Sequence, residues 1–236
     1  MRDVSYSLLK QCSLQCEFCT LWQTPVHEQN FLPMSDVLQE LKLSDRSKKT
    51  TLHLGGGDPL LYPDLPPLLK AVRSRFLGIW LYTPGILYES FAEQIQPYVD
   101  ELCLVFNHPL PEDNNRIGGS AHFKLLTAAV RRAQQVGQPV RLVLLTHCES
   151  ALFLPEAEEL AQSLGVKLEL RPLTDYLAHA RLEKETLGYI RRYLRVKNVT
   201  LWPSELRRRP QAQSQCLALP SGRRGWLDRV RQRLGI

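Results

Sequence analysis

Strand-like and helix-like segments alternate along most of this chain, and the alternation limits the folds open to it. Short apolar or β-branched runs predict six strands, at residues 4–9, 50–54, 78–82, 101–106, 140–145 and 166–170. Helical periodicity predicts the intervening helices, at residues 33–43, 65–76, 87–98, 121–136 and 155–164. Strands joined by helices in this way need right-handed crossovers, which make the sheet parallel. The predicted fold is therefore α/β, a partial (β/α)6 barrel.

Two loops with unusual compositions follow the first two predicted strands. A cysteine-containing loop begins after residue 9, and Gly55, Gly56 and Gly57 end the second strand. In barrels and in open parallel sheets, ligands bind at the carboxyl ends of the strands. We therefore expect the two loops to form one site.

Three of the six cysteines stand close together in the first loop. Cys12, Cys16 and Cys19 have the spacing C-x3-C-x2-C, which is tight enough for three thiolates to bind one polynuclear centre. Iron–sulfur clusters are held by cysteine thiolates, usually four, so a set of three leaves one iron open to another ligand. The motif therefore favours a reactive iron–sulfur cluster.

A zinc site is the alternative interpretation of these cysteines. Structural zinc is held in a closed tetrahedron of four ligands, one more than the motif supplies. The candidates for a fourth ligand are His27, Cys103, Cys148 and Cys216. Zinc knuckles usually pair two C-x2-C units, and the sequence has no second pair.

The cysteine motif resembles that of the radical S-adenosylmethionine (radical SAM) superfamily, including the aromatic Phe18 before the last cysteine. Gly56, Gly57, Asp58 and Pro59 are similar to the family's Gly-Gly-Glu-Pro segment, which holds the amino group of the methionine moiety of SAM. Glycines lack Cβ, so their backbone can approach a ligand closely.

The resemblance implies an enzyme that cleaves SAM reductively at a 4Fe-4S cluster, forms a 5′-deoxyadenosyl radical and abstracts hydrogen from a substrate. The implied cofactors are the cluster and SAM, and the implied electron donor is a flavodoxin or ferredoxin. The resemblance as a whole covers about residues 4–172, and within it residues 114–137 are more weakly similar to the fourth-helix segment of the molybdenum-cofactor and peptide-modifying branch. The implied substrate is a peptide, a cofactor precursor or RNA. Only Cys216 lies in the carboxyl-terminal region, so no auxiliary cluster is expected.

In addition to the glycines, five residues are candidates for contacts with SAM. Phe18 would pack over the adenine, or else lie buried beneath its own loop. Asp58 would supply a charge for the ammonium group, although it is one methylene shorter than Glu, or else would face solvent in a simple turn. Thr83 and Asn107 follow the third and fourth strands and would hold the ribose or the carboxylate, or cap a helix. Arg171 would anchor an anion through its guanidinium.

Several other polar residues in or after the strands are more often structural than catalytic, namely His53, Tyr82, His108 and His147. Cys103 and Cys148 are similarly expected to be small core residues.

The charge distribution predicts two parts, a core over residues 1–187 and a basic extension over residues 188–236. The extension holds 12 of the 30 Lys and Arg residues but only 2 of the 24 Asp and Glu residues. Trp226 and Leu234 belong to one face of a predicted amphipathic helix within it. The extension would dock on the acidic core or bind RNA or an acidic peptide. A non-catalytic, metal-stabilised protein that binds nucleic acid or another protein is the alternative function.

No run of about 20 apolar residues occurs, and the first residues lack the apolar segment of a secretory signal. These features predict a cytoplasmic protein without a membrane partner.

Overall fold

The computed structural model describes residues 2–27, 31–44, 50–147, 149–173 and 200–201. Within these ranges lie seven strands: β1 (Arg2–Leu9), β2 (Thr50–Gly56), β3 (Gly78–Thr83), β4 (Glu101–Phe106), β5 (Val140–Thr146), β6 (Lys167–Pro172) and β7 (Thr200–Leu201). The helices of the same ranges are α1 (Met34–Ser44), α2 (Leu65–Val72), α3 (Tyr88–Ile95), α4 (Pro111–Gly118), α5 (His122–Gln135) and α6 (Leu154–Ser163).

The strands form one sheet in the order β1-β2-β3-β4-β5-β6-β7, and every neighbouring pair is parallel. This arrangement confirms the predicted α/β fold and all six predicted strands. Since every neighbouring pair is parallel, the carboxyl ends of all seven strands lie at the same edge of the sheet. The predicted ligand-binding edge is therefore continuous from β1 to β6.

One face of the sheet is covered by the helices. Leucine and isoleucine residues on alternate positions of the strands pack there in the main core, for example Leu52, Leu81 and Leu104, which are fully buried. The opposite face carries larger aromatic and charged side chains, including Trp80 and Tyr82. This division follows from the two-residue repeat of a strand, which sends successive side chains to opposite faces.

Two elements were not predicted. Helix α4 begins with Pro111 and ends before Gly119, which has a φ of 67° and closes the helix in the left-handed conformation. Its short, polar sequence gives no apolar repeat, so periodicity alone could not reveal it. Strand β7 consists of two residues that pair with Glu169 and Leu170 of β6; it lies within the basic extension.

The rest of the basic extension, including Trp226, Leu234 and Cys216, falls outside the described residues, as does Cys148. The division at residue 187 stays a prediction. No helix in the described ranges is both long and apolar enough to span a membrane.

Candidate functional site

The cysteine loop and the glycine loop lie side by side at the carboxyl ends of β1 and β2. The Gly57 N–H donates to the Leu9 carbonyl at 2.9 Å, and the Asp58 N–H donates to the Gln11 carbonyl at 2.8 Å. These two hydrogen bonds continue the pairing of β1 with β2 beyond the strands. The predicted meeting of the two loops is confirmed.

The glycines make this contact possible. Gly56 has a φ of 124°, and a Cβ there would lie 2.5 Å from the Leu9 carbonyl oxygen. At Gly57 a Cβ would lie 1.7 Å from the carbonyl oxygen of Gln11. The space left by the missing side chains is thus occupied by the backbone that leads into the cysteine loop. Contact of Gly56, Gly57 and Pro59 with a cofactor stays a prediction.

The three motif cysteines are free thiols, Cys16 buried and Cys12 and Cys19 half-buried. A tight turn joins two of them, because the Cys19 N–H donates to the Cys16 carbonyl at 2.9 Å. Burial raises the pKa of Cys12 to about 12 and that of Cys16 to about 11, and the charges of the neighbouring cysteines add to the rise in both. The three thiols thus lie on one short loop, with Cys16 the most buried of them.

Three cysteine thiols on one loop are the type of donor that holds an iron–sulfur cluster. Among the residues described, no three His, Cys, Asp or Glu side chains are arranged to ligate one ion. Each cysteine of a 4Fe-4S cluster binds a different iron, so the sulfurs need not converge on one point. Two sulfurs also accept N–H donors, Cys19 from Leu21 at 3.4 Å and Cys16 from the Asn107 side chain at 3.5 Å. Such donors stabilise the thiolate form that metal binding requires.

Asp58 is fully buried and does not face solvent. Its carboxylate accepts from the Ser13 hydroxyl at 2.6 Å, from the Thr83 hydroxyl at 2.7 Å and from the Leu60 N–H at 3.2 Å. Burial raises the pKa of Asp58, and these three donors act in the opposite direction. The carboxylate therefore joins the cysteine loop to the end of β3. Its contact with the ammonium group of SAM stays a prediction.

Thr83 lies at the end of β3, as predicted, and is buried. Its hydroxyl donates to Asp58 and accepts from the Gly85 N–H at 3.0 Å. Both bonds hold the backbone that leaves β3, so the structure gives Thr83 a supporting role. A direct contact with the ribose stays a prediction.

Asn107 lies at the end of β4 and reaches the cysteine loop. Its backbone N–H donates to Asn114 Oδ1 at 2.9 Å, while Asn114 Nδ2 lies 3.1 Å from His122 Nδ1. The other nitrogen of His122 lies 2.9 Å from the Pro84 carbonyl oxygen. Burial lowers the pKa of His122 to about 4, so the ring is neutral and donates from Nε2 to Pro84 while accepting from Asn114.

Three polar residues of this site were not predicted from the sequence, namely Ser13, Asn114 and His122. The sequence does carry one signal for Asn114, since the apolar Ile117 follows it by three positions and would share its face of a helix. In the structure both side chains are fully buried. Nothing comparable marks Ser13, whose partner lies 45 residues away.

The cysteine loop also rests on the end of α4. The N–H groups of Gln15 and Glu17 donate to the carbonyls of Gly118 and Ile117 at 3.1 and 3.0 Å. These carbonyls belong to the last turn of the helix, which has no further N–H groups of its own to offer them. Helix α4 thus fixes the middle of the loop between Cys12 and Cys19.

Phe18 points to the carboxyl ends of β5 and β6. It packs against Leu145 and Leu173, and its ring centroid lies 6.1 Å from that of His147. His147 is buried, which lowers its pKa to about 4, and its Nε2 lies 3.1 Å from the Asn107 carbonyl oxygen. Phe18 therefore forms an apolar wall beside the cysteines. Its stacking on adenine stays a prediction.

The face of the sheet opposite the helices carries a line of paired charges. Arg141 donates to Glu101 at 2.9 Å and to Glu169 at 3.2 Å, with its guanidinium 4.2 Å from the centre of the Trp80 ring. Arg171 lies 3.2 Å from Glu169 and 4.1 Å from the centre of the Tyr82 ring. Arg171 is thus at the same edge as the loops, beside Leu145 in the β5–β6 register. Binding of an anion by Arg171 stays a prediction.

Comparison with curated proteins finds enzymes that share this region. The chain is 26% identical over 201 residues to a PqqA peptide cyclase of Granulibacter bethesdensis, covering 82% of this chain and 53% of the relative. It is 21% identical over 176 residues to a probable GTP 3′,8-cyclase of Methanococcus aeolicus, covering 72% of this chain and 58% of the relative. The chain therefore spans little more than half the length of these relatives.

Solved structures share the fold. SuiB of Streptococcus suis bound to S-adenosylmethionine superposes with a TM-score of 0.63 at 16% identity, over 84% of this chain and 49% of that one. Methylornithine synthase (PylB) gives a TM-score of 0.61 at 16% identity, over 85% of this chain and 64% of that one. At such low identity the likeness is one of fold, and it agrees with a partial barrel.

The family model of the radical SAM superfamily matches residues 6–149. The matched region contains the cysteine loop, the glycine loop and the ends of β3 and β4, which form the site described above. The match covers more than half of the 236 residues, and the chain belongs to the radical SAM superfamily of enzymes.

Proposed function

We propose that this enzyme holds a 4Fe-4S cluster on Cys12, Cys16 and Cys19 and cleaves SAM reductively to modify a peptide by hydrogen abstraction. When bound, the cluster and SAM together supply the 5′-deoxyadenosyl radical. The observation that carries the proposal is the joining of the cysteine loop to the glycine loop through the Asp58 N–H and the Gln11 carbonyl. That contact brings three neighbouring thiols to the segment that resembles the SAM-binding motif.

The protein's own residues would hold and shield the reactants. The N–H donors from Leu21 and Asn107 favour thiolates at Cys19 and Cys16. Asp58 fixes the glycine loop, so that its backbone groups keep one position relative to the cysteines. Phe18 and the apolar side chains around it exclude water from the same edge of the barrel. Water exclusion matters because a carbon radical must meet only its intended substrate.

The comparisons support a peptide rather than RNA as substrate. One curated relative is a PqqA peptide cyclase, and SuiB has been solved with its precursor peptide SuiA, with a TM-score of 0.63 to this chain. The basic extension, residues 188–236, suits an acidic peptide, since clustered Lys and Arg attract negative charge. We further propose a flavodoxin or ferredoxin as electron donor and a reducing compartment such as the cytoplasm, where clustered thiols stay free for metal.

Anaerobic reconstitution with iron and sulfide tests the cluster and the SAM chemistry. The purified enzyme should bind four irons and four sulfides, and dithionite with SAM should yield 5′-deoxyadenosine and methionine. Alanine at Cys12, Cys16 or Cys19 should abolish both results, whereas Cys103→Ala should retain them because Cys103 lies in the core with Tyr82 and Val143. One bound zinc, no sulfide and no 5′-deoxyadenosine would instead favour the metal-stabilised binding protein.

The substrate class needs a separate experiment. Peptides encoded by short genes next to the enzyme's own gene are incubated with reconstituted enzyme, SAM and dithionite, and their masses are measured. A change in peptide mass that requires SAM would support the proposal. If no peptide changes but a modified nucleoside disappears from cellular RNA when the gene is deleted, the substrate is RNA.

A further inference from the structure

A series of buried and partly buried contacts begins and ends on the cysteine loop. We call it the loop brace; its members in order are Ser13, Asp58, Thr83, Pro84, His122, Asn114, Asn107 and Cys16. Ser13 and Cys16 both belong to the cysteine loop, whereas the other members lie at the carboxyl ends of β2, β3 and β4 or in α4 and α5. The brace therefore ties the loop to three strand ends at once.

Asn107 is the member of the brace that touches a cysteine sulfur. Its side-chain Nδ2 lies 3.5 Å from Cys16 Sγ, and the residue is only 1% exposed. In the proposed enzyme this sulfur is an iron ligand. An amide nitrogen is the suitable neighbour for an electron-rich sulfur, since an amide oxygen there would repel it.

The backbone of Asn107 is held on both sides, which fixes where its side chain begins. Its N–H donates to Asn114 at 2.9 Å, and its carbonyl oxygen lies 3.1 Å from the Nε2 of His147. Asn114 is held in turn by His122, and both are fully buried. The backbone position from which the Asn107 side chain reaches Cys16 is therefore fixed.

We infer that Asn107 is a positioning residue whose N–H···S hydrogen bond raises the reduction potential of the cluster and so eases the first electron transfer. The inference rests on the proposed function, because it needs a cluster on Cys16. Reduction adds negative charge that is shared by the cysteine sulfurs, and hydrogen bonds to those sulfurs stabilise the more negative state. The buried position strengthens the effect, since little water competes.

The test is an electron paramagnetic resonance titration of the reconstituted cluster against potential, without SAM. Asn107→Leu removes the donor and keeps a similar volume without adding charge. We expect the ratio of reduced to oxidised cluster at a fixed potential to fall about threefold to tenfold, the range that corresponds to one net hydrogen bond. Asn115→Leu is the matched control, because the Asn115 side chain accepts from the Phe123 N–H on α5 and does not reach a cysteine.

Asn107→Ala serves as a second variant, because it also removes the donor and cannot be too large for the site. Potentials of both Asn107 variants equal to that of the wild type would overturn the inference while leaving the proposed function intact. Folded variants that assemble no cluster would also overturn it, since Asn107 would then act in assembly instead. A wild-type protein without a cluster would reject the proposed function itself.

Discussion

Gly57 lies so close to Gln11 that a Cβ on the glycine would stand 1.7 Å from the Gln11 carbonyl oxygen. The same oxygen accepts the N–H of Asp58 at 2.8 Å. A clash with a backbone atom cannot be relieved by a change of rotamer, so one of the two loops would have to move. Glycine at position 57 is therefore required by the contact between the two loops.

Gly57→Ala should leave the sheet folded but separate the glycine loop from the cysteine loop. We expect a cost at least as large as the ~1–3 kcal/mol of an overpacked core, together with loss of most of the cluster. Iron and sulfide per chain after reconstitution measure the loss, and circular dichroism checks the fold. Gly55→Ala is the control, because its Cβ would meet only the Tyr82 Cβ, at an ordinary 3.5 Å. Equal iron contents in the two variants would contradict the prediction.

Asp58→Glu restores the residue found in the family's segment, yet we expect it to destabilise this protein. Asp58 is fully buried, and its two oxygens already lie 2.6 and 2.7 Å from the hydroxyls of Ser13 and Thr83. An additional methylene has no room there, at a typical cost of about 1–3 kcal/mol. Urea unfolding measures the resulting decrease in the free energy of unfolding.

The control for that experiment is Asp64→Glu, since Asp64 is exposed and makes no capping hydrogen bond at the start of α2. It should unfold at nearly the same urea concentration as the wild type. If Asp58→Glu were as stable as the wild type, the reach of the Asp58 side chain would not determine the position of the glycine loop.

The parts of the fold that the sequence predicted are those set by local pattern. Alternating apolar residues such as Leu52 and Leu54 mark a strand regardless of its neighbours, and parallel strands bring their carboxyl ends together. For that reason the meeting of the cysteine and glycine loops could be predicted before any contact was known.

The polar contacts within the site could not be predicted in the same way. His122 binds the carbonyl oxygen of Pro84, 38 residues away, and a backbone carbonyl leaves no trace in the amino-acid sequence. Asp58 was expected either to reach a ligand or to face solvent, because nothing in the sequence shows that Ser13 and Thr83 would enclose it. Such pairings depend on how strand ends are placed in space.

Arg141→Met should destabilise the protein by about 3 kcal/mol at neutral pH. The change keeps much of the apolar stem but removes the cation between Glu101 and Glu169. Glu169 keeps Arg171 at 3.2 Å, whereas Glu101 loses the arginine that it binds, and breaking a largely buried ion pair by removing one partner is costly. Lys167→Met is the control, since Lys167 is exposed on the neighbouring strand and pairs with Arg141 in the register. Urea unfolding gives the free energy of unfolding of each of the two variants. Similar stabilities for the two variants would show that the paired charges contribute little.

His122 gives the protein a stability that depends on pH. Burial lowers its pKa from 6.5 to about 4, and the hydrogen bond to the Pro84 carbonyl only partly opposes this shift. Between these two values the unfolded chain binds a proton that the folded protein does not, so the free energy of unfolding must fall as the pH falls. Above pH 6.5 the contribution is complete. A protonated ring would also donate from both nitrogens and could no longer accept from Asn114.

Replacement of His122 by glutamine should therefore lower the stability at pH 7 and also reduce its dependence on pH. Between pH 7 and pH 5 the wild type should lose about 2 kcal/mol more than His122→Gln, which is the part that the shifted pKa of this histidine contributes. Urea unfolding at several pH values gives, for each protein, the slope of the free energy of unfolding against pH. Leu126→Ala on the same helix is the control, because it removes buried apolar contacts without removing a histidine, so its slope should match that of the wild type. Parallel slopes for the wild type and His122→Gln would show that His122 is not held neutral by the fold.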